Sequence, residues 1–175
     1  MATTGHAQFA TAIGTCGIAW NDCGLTRVLL PGKGLPAALS RDGGTSREAP
    51  PSVERVIAAI ERLLAGVPED LTFAALDLTD VPAFHKRVYE LARHIRPGTT
   101  MTYGEVARAL GGAGAARAVG QALGRNPFPI VVPCHRVVAA RGRLGGFSAP
   151  GGADTKLHML AIEGVAPATL PLFGR

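Results

Sequence analysis

The sequence predicts an α+β protein of two domains that divide near residue 80. Apolar residues alternate over residues 9–30, as in half-buried strands, whereas later apolar residues recur at helical spacing. The formal charge also changes sign: residues 1–80 hold six Lys/Arg against nine Asp/Glu, a net −3, and residues 81–175 hold twelve against four, a net +8. A length of 175 residues suits two small domains. We therefore predict domains at 1–79 and 80–175.

The first domain is predicted to open with a hairpin, because Asn21-Asp22 supplies a turn between two β-leaning segments. Residues 31–51 are rich in Gly, Ser and Pro and are predicted to form a loop. Ser52 is predicted to N-cap a helix whose apolar residues follow helical spacing as far as Gly66. Residues 71–78 are predicted to form a further strand.

The second domain is predicted to be helical and basic. An apolar stripe beginning at Phe84 predicts a helix that stops at Pro97-Gly98. Thr102 and Glu105 form a capping box that starts a short helix, and a second short helix covers residues 115–123. Two short helices joined by glycines have the outline of a helix-turn-helix, although helical hairpins also occur in proteins that never meet DNA. The positive charge favours a polyanionic partner.

Several classes of protein are disfavoured. No apolar run approaches the roughly 18–20 residues that span a bilayer, and the N-terminal residues do not resemble a signal peptide. Three cysteines without a C-x-x-C pair predict free thiols; they are Cys16, Cys23 and Cys134. We therefore expect a cytoplasmic protein with no membrane partner.

Residues 126–138, NPFPIVVPCHRVV, carry the chemistry. Their three prolines fix φ and remove backbone donors, which predicts a rigid segment that holds Cys134 in a defined place. A thiol attacks as the thiolate, and the adjacent His135 could take its proton while Arg136 or a helix N-terminus favours the anion. A buried, inert cysteine is the open alternative. No metal site is predicted, because Cys134 and His135 lack the spacing of metal ligands.

Spaced motifs in this half resemble the O6-alkylguanine-DNA alkyltransferase family. In chain order they are Ala116-Arg117-Ala118-Val119-Gly120, Asn126-Pro127-x-Pro129, Pro133-Cys134-His135-Arg136, Gly146-Phe147-Ser148 and Glu163-Gly164. The resemblance is close over residues 80–175 and general over 1–78. It implies an RNase H-like α/β domain at the N-terminus and a helix-turn-helix, winged-helix-like domain at the C-terminus.

The resemblance also implies a reaction. O6-alkylguanine in duplex DNA is flipped out of the stack, and the thiolate of Cys134 attacks the alkyl carbon in one displacement. His135 would act as the base through a water, Glu163 would hold the imidazole, and Asn126 would brace the turn. Because a thioether has no easy route back to a thiol, each molecule would act once, and no cofactor would be needed.

Further residues are implied to bind the base and the DNA. Tyr103 would donate to N3 of the leaving guanine and the backbone N–H of Ser148 to O6, while the carbonyls of Cys134 and Val137 would accept from the exocyclic amine. Arg117 would fill the space left by the flipped nucleotide. The small residues of a recognition helix would approach the minor groove; they are Ala116, Ala118 and Gly120. Arg136 and Phe147 complete the set of substrate- and DNA-binding residues.

Some choices remain open at this point. A monomer is expected, and cooperative binding along DNA, activity on O4-alkylthymine and the preferred alkyl group are undecided. Phe147 stands where the family often has tyrosine, so any hydrogen bond from that hydroxyl is lost.

Three other functions compete with this interpretation. The first is a non-enzymatic alkyltransferase-like damage sensor, in which the cysteine is typically replaced by tryptophan, so Cys134 disfavours it. The others are a winged-helix regulator with an incidental cysteine and a cysteine hydrolase, whose Cys and His are normally distant in sequence.

Overall fold

A computed structural model describes residues 4–41, 43–141 and 143–165. The described chain forms two compact units of a mixed α+β fold. The first unit comprises the residues up to Val81 together with 127–131, and the second comprises 82–126 and the residues from Val132 onward. The chain therefore returns to the first unit for five residues shortly before Cys134.

The first unit is built on a sheet of strand order β3-β2-β1-β4. Strands β1 (Gly5–Thr11), β2 (Gly14–Asn21) and β3 (Gly24–Leu29) are antiparallel, and β4 (Thr45–Ser46) runs parallel to β1. The hairpin predicted around Asn21 is confirmed. The side-chain oxygen of Asn21 accepts hydrogen bonds from the backbone amides of Cys23 and Gly24 at 2.9 and 3.2 Å, and these bonds hold the turn.

The loop predicted over residues 31–51 contains two regular elements, α1 (Leu35–Ser40) and β4. Leu35 and Leu39, four residues apart, are buried in one cluster with Ala19 of β2. Two buried leucines at helical spacing are therefore enough to fold this short segment onto the sheet, although glycine and proline dominate its composition.

Helix α2 (Pro51–Leu64) begins before the predicted cap. Its N-cap is Pro50, and the hydroxyl of Ser52 caps nothing. Proline suits a first helical turn because its missing N–H has no partner there in any case. The face that packs toward β1 is apolar and buried; it consists of Val53, Val56, Ile60, Leu63 and Leu64.

The strand predicted over residues 71–78 is wrong. A single parallel bridge joins Leu76 to Leu25, and the rest of the segment is turn or irregular. Aspartates set these turns: Asp70 accepts from the amide of Thr72 at 2.8 Å, and Asp77 accepts from that of Thr79 at 3.0 Å. Side-chain hydrogen bonds of this kind compete with a strand ladder, which explains the failure of the apolar pattern.

The second unit combines helices with a short parallel ladder. Helix α5 (Ala116–Gly124) packs against α3 (Ala83–Arg93) and α4 (Tyr103–Ala109). Strand β5 (Met101–Thr102) pairs with β6 (Val137–Val138), and α6 (Gly152–Ile162) packs against a single 3-10 turn at Cys134–Arg136. Within the described ranges, no helix is long and apolar enough to cross a membrane.

The predicted capping box at the start of α4 is confirmed. The hydroxyl of Thr102 accepts from the amide of Glu105 at 3.2 Å, and the Glu105 carboxylate accepts from the amide of Thr102 at 2.6 Å. We expect Thr102→Ala to lower the free energy of unfolding by about 1 kcal/mol, because an orphan helix amide loses its partner. Urea unfolding measures this change. Thr100→Ala, two residues before the cap, is the control, and an equal loss there would contradict the capping role.

Candidate active site

The carbonyl of Val132 holds the turn that carries Cys134 by accepting two hydrogen bonds. This carbonyl accepts from the amide of Cys134 at 2.8 Å and from the side-chain amide of Asn126 at 2.9 Å. The amide of Arg136 closes the 3-10 turn on the carbonyl of Pro133 at 2.9 Å. Asn126 therefore lies where it can brace the turn, as the family resemblance implies.

The segment before this turn is held in an unusual backbone conformation. Ile130 is buried and has a φ of 75°, a left-handed value that β-branched residues rarely adopt. Within the first unit, Pro127 anchors the same segment by accepting from the amide of Val28 at 2.9 Å. Strain of this kind persists where the surroundings over-determine the backbone, and it is often found beside functional residues.

Cys134 is 9% exposed, and burial raises the pKa of its thiol. A hydrogen bond from the side chain of Asn126 and the charge of Lys156 act in the opposite direction without cancelling the effect of burial. The thiol is therefore protonated at neutral pH. A nucleophilic thiolate requires a neighbouring base or a stabilising cation.

His135 is completely buried, and its Nε2 lies 2.8 Å from Oε1 of Glu163. Burial lowers the pKa of the imidazole despite the opposing hydrogen bond to Glu163, so the ring is neutral at pH 7. In the tautomer that donates from Nε2 to the carboxylate, Nδ1 carries the lone pair. Nδ1 is buried and has no hydrogen-bond partner within the described residues, which leaves it available to accept a proton.

Glu163 is also held by Arg136. The guanidinium donates to both carboxylate oxygens at 2.8 and 2.9 Å and to the carbonyl of Ile95 at 2.6 Å. Although burial alone would raise it, the pKa of Glu163 is lowered to about 2 by hydrogen bonds from His135 and Arg136. Glu163 is therefore an anion throughout the physiological range. The structure buries Arg136, which the sequence placed among the substrate- and DNA-binding residues, in this ion pair.

Tyr103, the first residue of α4, forms another wall of the site. Its hydroxyl donates to the carbonyl of Gly146 at 3.4 Å, and burial, followed by the charge of Cys134, raises its pKa. A Cβ on Gly145 would lie 2.7 Å from the ring, so glycine is required for this close approach, and its φ of 74° also favours glycine.

Sequence reasoning missed Lys156. This residue is completely buried on α6, and its Nζ donates to the carbonyl of Val137 at 2.6 Å. Nζ also lies 5.7 Å from the ring centroid of Tyr103 and 6.0 Å from that of Phe147. The sequence did carry one signal of this burial. Lys156 precedes the buried residues Met159 and Leu160 by three and four positions, which places all three on one face of a helix.

The residues of α5 expected to contact DNA differ in their exposure. Arg117 is exposed on α5, whereas Val119 on the same helix is completely buried. The small residues expected to approach DNA are half-buried; they are Ala116, Ala118 and Gly120. Gly120 lies against the Tyr103 ring, since a Cβ there would be 3.8 Å from it. Ser148 is exposed.

No group of three His, Cys, Asp or Glu residues in the described part of the chain could hold a metal ion. The cysteines Cys16, Cys23 and Cys134 are free thiols, as expected. Cys16 is buried and its pKa is raised to about 11 by burial, whereas Cys23 is exposed and lies at the hairpin turn.

A buried thiol beside a neutral imidazole that is hydrogen-bonded to a carboxylate defines an enzyme that uses cysteine as its nucleophile. The sequence model of the DNA-binding domain of 6-O-methylguanine DNA methyltransferase matches residues 83–165. The methylated-DNA–protein-cysteine methyltransferase of Methanothermobacter thermautotrophicus is 34% identical over 86% of this chain and 80% of its own. The chain belongs to this methyltransferase family.

Other relatives agree. The methylated-DNA–protein-cysteine methyltransferase of Mycolicibacterium paratuberculosis is 46% identical over 66% of this chain and 70% of its own. The crystal structure of Mycobacterium tuberculosis O6-methylguanine methyltransferase has a TM-score of 0.76 at 34% identity, covering 97% of this chain and 98% of that one. The structure of Mycobacterium tuberculosis OGT in complex with DNA has a TM-score of 0.74 at 33% identity over 98% of this chain and 100% of that one. The family resemblance of the sequence is therefore confirmed.

Proposed function

We propose that this protein repairs duplex DNA by moving the alkyl group of O6-alkylguanine to Sγ of Cys134. The observation that carries the proposal is the buried His135–Glu163 pair beside the thiol, with Nδ1 of the imidazole free to accept a proton. The names of the relatives, which are methyltransferases from methylated DNA to a protein cysteine, supply the substrate. A damage sensor without chemistry would need neither the thiol nor this pair.

The reaction needs one proton transfer before the displacement. Nδ1 of His135 takes the thiol proton through a water, and the anionic Glu163 stabilises the imidazolium that forms. Sγ then bonds to the alkyl carbon as the bond from that carbon to O6 breaks. The electron pair of the broken bond stays on the guanine, which Tyr103 stabilises by donating to N3. The proton held by His135 returns through water to the guanine anion, so the products are S-alkylcysteine and unmodified guanine. Each protein molecule therefore reacts once.

Backbone groups near the thiol hold the flipped base. The carbonyls of Cys134 and Val137 accept from the exocyclic amine, and the N–H of Ser148 donates to O6. Val137 can serve although Lys156 already donates to it, since a carbonyl oxygen has two lone pairs. The half-buried ring of Phe147 forms an apolar wall at this point.

The two units serve different purposes in this proposal. The first is an RNase H-like domain, and in the second α4 and α5 form a helix-turn-helix whose second helix enters the minor groove. The short side chains along α5 permit the close approach. The protein acts as a monomer in the cytoplasm, and because its lesion lies in every sequence context, its affinity rests on phosphate contacts and falls as salt rises.

Arg117 is the side chain that fills the space of the flipped nucleotide. We expect Arg117→Ala to slow repair of duplex DNA by about tenfold or more, since flipping would lose a stabilisation of a few kcal/mol. Reaction with free O6-alkylguanine base should not change, because a free base needs no flipping. Single-turnover rates on both substrates measure the difference.

Arg125→Ala is the charge-matched control for this experiment. Arg125 is also exposed and caps the C-terminal end of the same helix. Its loss should weaken salt-dependent binding and leave the rate at saturating DNA unchanged. Equal losses on duplex and free base in Arg117→Ala would remove the flipping role.

The single-use reaction is tested by counting lesions. A tenfold excess of duplex carrying one O6-methylguanine is incubated with the protein, and the remaining lesions are counted after digestion. The proposal predicts that repair stops at one lesion per protein molecule. Continued turnover would contradict the thioether product, and binding without any repair would favour the damage-sensor alternative.

A further inference from the structure

Two side chains of α3 donate hydrogen bonds to the ends of the two helices that follow it. Nη2 of Arg87 donates to the carbonyl of Leu110 at 2.7 Å, and the hydroxyl of Tyr89 donates to the carbonyl of Ala122 at 2.9 Å. Leu110 caps the carboxyl end of α4, and Ala122 lies in the last turn of α5. Each helix of the proposed helix-turn-helix is therefore bonded to α3 at its carboxyl end.

The two accepting carbonyls are suited to such bonds, because the last four C=O groups of a helix have no partner within it. The guanidinium of Arg87 also brings a positive charge to the negative end of the dipole of α4, which ends at Leu110. The carbonyl of Ala122 accepts from the amide of Arg125 at 3.2 Å as well, so the Tyr89 hydroxyl uses its second lone pair. The partners of the two α3 bonds are 23 and 33 residues apart in the chain. These bonds therefore fix the position of each helix end as well as satisfying its carbonyl.

Tyr89 fixes α5 in a way that apolar contacts alone do not. Its side chain is 1% exposed, and α3 packs against α5, whose buried residues are Val119, Ala122 and Leu123. Apolar contact is non-directional, whereas a hydrogen bond requires its donor and acceptor at a defined distance and angle. Burial raises the pKa of Tyr89 to about 12, so the hydroxyl keeps the proton that it donates throughout the physiological range. The bond therefore sets the register of α5 along α3.

We propose that Arg87 and Tyr89 are positioning residues, which hold α4 and α5 on α3 so that Arg117 meets the duplex in the orientation needed to flip the nucleotide. The proposal rests on the proposed role of Arg117. Arg117 is the second residue of α5, and its separation from Ala122 is about 7.5 Å along the helix axis. A helix that tilts at its carboxyl end displaces this side chain, and a misplacement of about 1 Å can slow a reaction about 100-fold.

The two bonds predict a loss that is confined to duplex DNA. Both end on α4 or α5, whereas the turn that carries Cys134 is held by the carbonyl of Val132 and the side chain of Asn126. A free base needs no flipping, so its reaction with Cys134 does not depend on the position of Arg117. A displaced α5 should therefore slow repair of the duplex and leave the reaction with free O6-alkylguanine base unchanged.

Tyr89→Phe is the first test, because it removes the hydroxyl and keeps the ring. Single-turnover rates are measured with saturating duplex carrying one O6-methylguanine and with free O6-methylguanine base. We expect the duplex reaction to slow by about fivefold or more and the free-base rate to stay within about twofold of wild type. Equal losses on both substrates would overturn the proposal, since the hydroxyl would then support the folded chain or the thiol.

Arg87 offers an exposed position for the same test. Arg87→Met removes the bond to Leu110 and should also slow the duplex reaction by about fivefold. Arg87→Lys retains a donor and should recover to within about twofold of wild type. Lys86→Met removes one positive charge from the neighbouring position of α3 and is the matched control, which should react at the wild-type rate at saturating DNA. A loss equal to that of Arg87→Met would overturn the role of Arg87, because the missing charge alone would explain both.

A double variant separates positioning from a general structural effect. If Tyr89 acts through Arg117, Tyr89→Phe should have no further effect on the duplex rate once Arg117 is replaced by alanine. Multiplied losses in the double variant would contradict the proposal, because independent sites have additive free energies. A normal duplex rate in Arg117→Ala alone would contradict the proposed function, and the positioning role with it. A slow Arg117→Ala beside a normal Tyr89→Phe would overturn only the positioning role.

Discussion

Cys134→Ala should lose all alkyl transfer while it continues to bind DNA. The methyl side chain has no nucleophilic atom, whereas Arg117, which is expected to contact DNA, is exposed on α5 and the thiol is buried. Transfer is measured by mass, and binding by fluorescence anisotropy with a lesion-bearing duplex at fixed salt. The predicted outcome is no transfer and an affinity within about twofold of wild type.

Cys23→Ala is the matched control. Cys23 is an exposed thiol at the hairpin turn, and its removal should affect neither property. Residual transfer in Cys134→Ala would show that another thiol accepts the alkyl group. Loss of DNA binding in that variant would show that the thiol supports the interface rather than the chemistry.

Glu163→Gln is expected to reduce both stability and rate. The substitution keeps the shape of the side chain but leaves the buried guanidinium of Arg136 without its counter-charge, and removal of one partner of a buried ion pair costs about 3–5 kcal/mol. His135 also loses the anion that stabilises its protonated form. Because general-base catalysis contributes about 10²–10⁴-fold, we expect transfer to slow by about 100-fold.

The stability difference between wild type and Glu163→Gln should depend on pH. The folded-state pKa of Glu163, about 2, is below its unfolded value, so its contribution is complete above the unfolded pKa. It is lost as the pH falls from there toward 2. Urea unfolding of both proteins at pH 7 and pH 3 measures this: the difference should be smaller at pH 3.

Glu69→Gln is the control for both measurements. Glu69 is bonded to Arg62 on the surface, where ion pairs contribute little. This variant should show wild-type rates and a wild-type unfolding midpoint. A Glu163→Gln protein as stable and as fast as wild type would contradict the account of the buried pair.

Sequence reasoning succeeded where the determinants are local. The hairpin at Asn21, the capping box at Thr102 and helices α3 and α5 follow from turn chemistry, capping residues and periodicity within a few residues. The family was identified from motifs in chain order, and the comparisons confirm it. The strand predicted over residues 71–78 failed because aspartate side chains hold turns there that an apolar pattern does not reveal.

The charges of the site could not be placed from sequence in the same way. Arg136 was placed among the substrate- and DNA-binding residues, but it forms a buried ion pair with Glu163, which is 27 residues away in the chain. The helical spacing of Lys156 indicates that it faces the core, but its hydrogen-bond partner is a backbone carbonyl 19 residues away, which no side-chain pattern encodes. Both depend on contacts that exist only in the folded chain.

The central claim is that Cys134 accepts the alkyl group. The most direct measurement is the intact mass of the protein after incubation with a duplex carrying one O6-methylguanine, followed by peptide mapping. The account predicts a gain of one methylene group, saturating at one per molecule and located on Cys134. No gain despite lesion-specific binding, or a gain on Cys16 or Cys23, would contradict it.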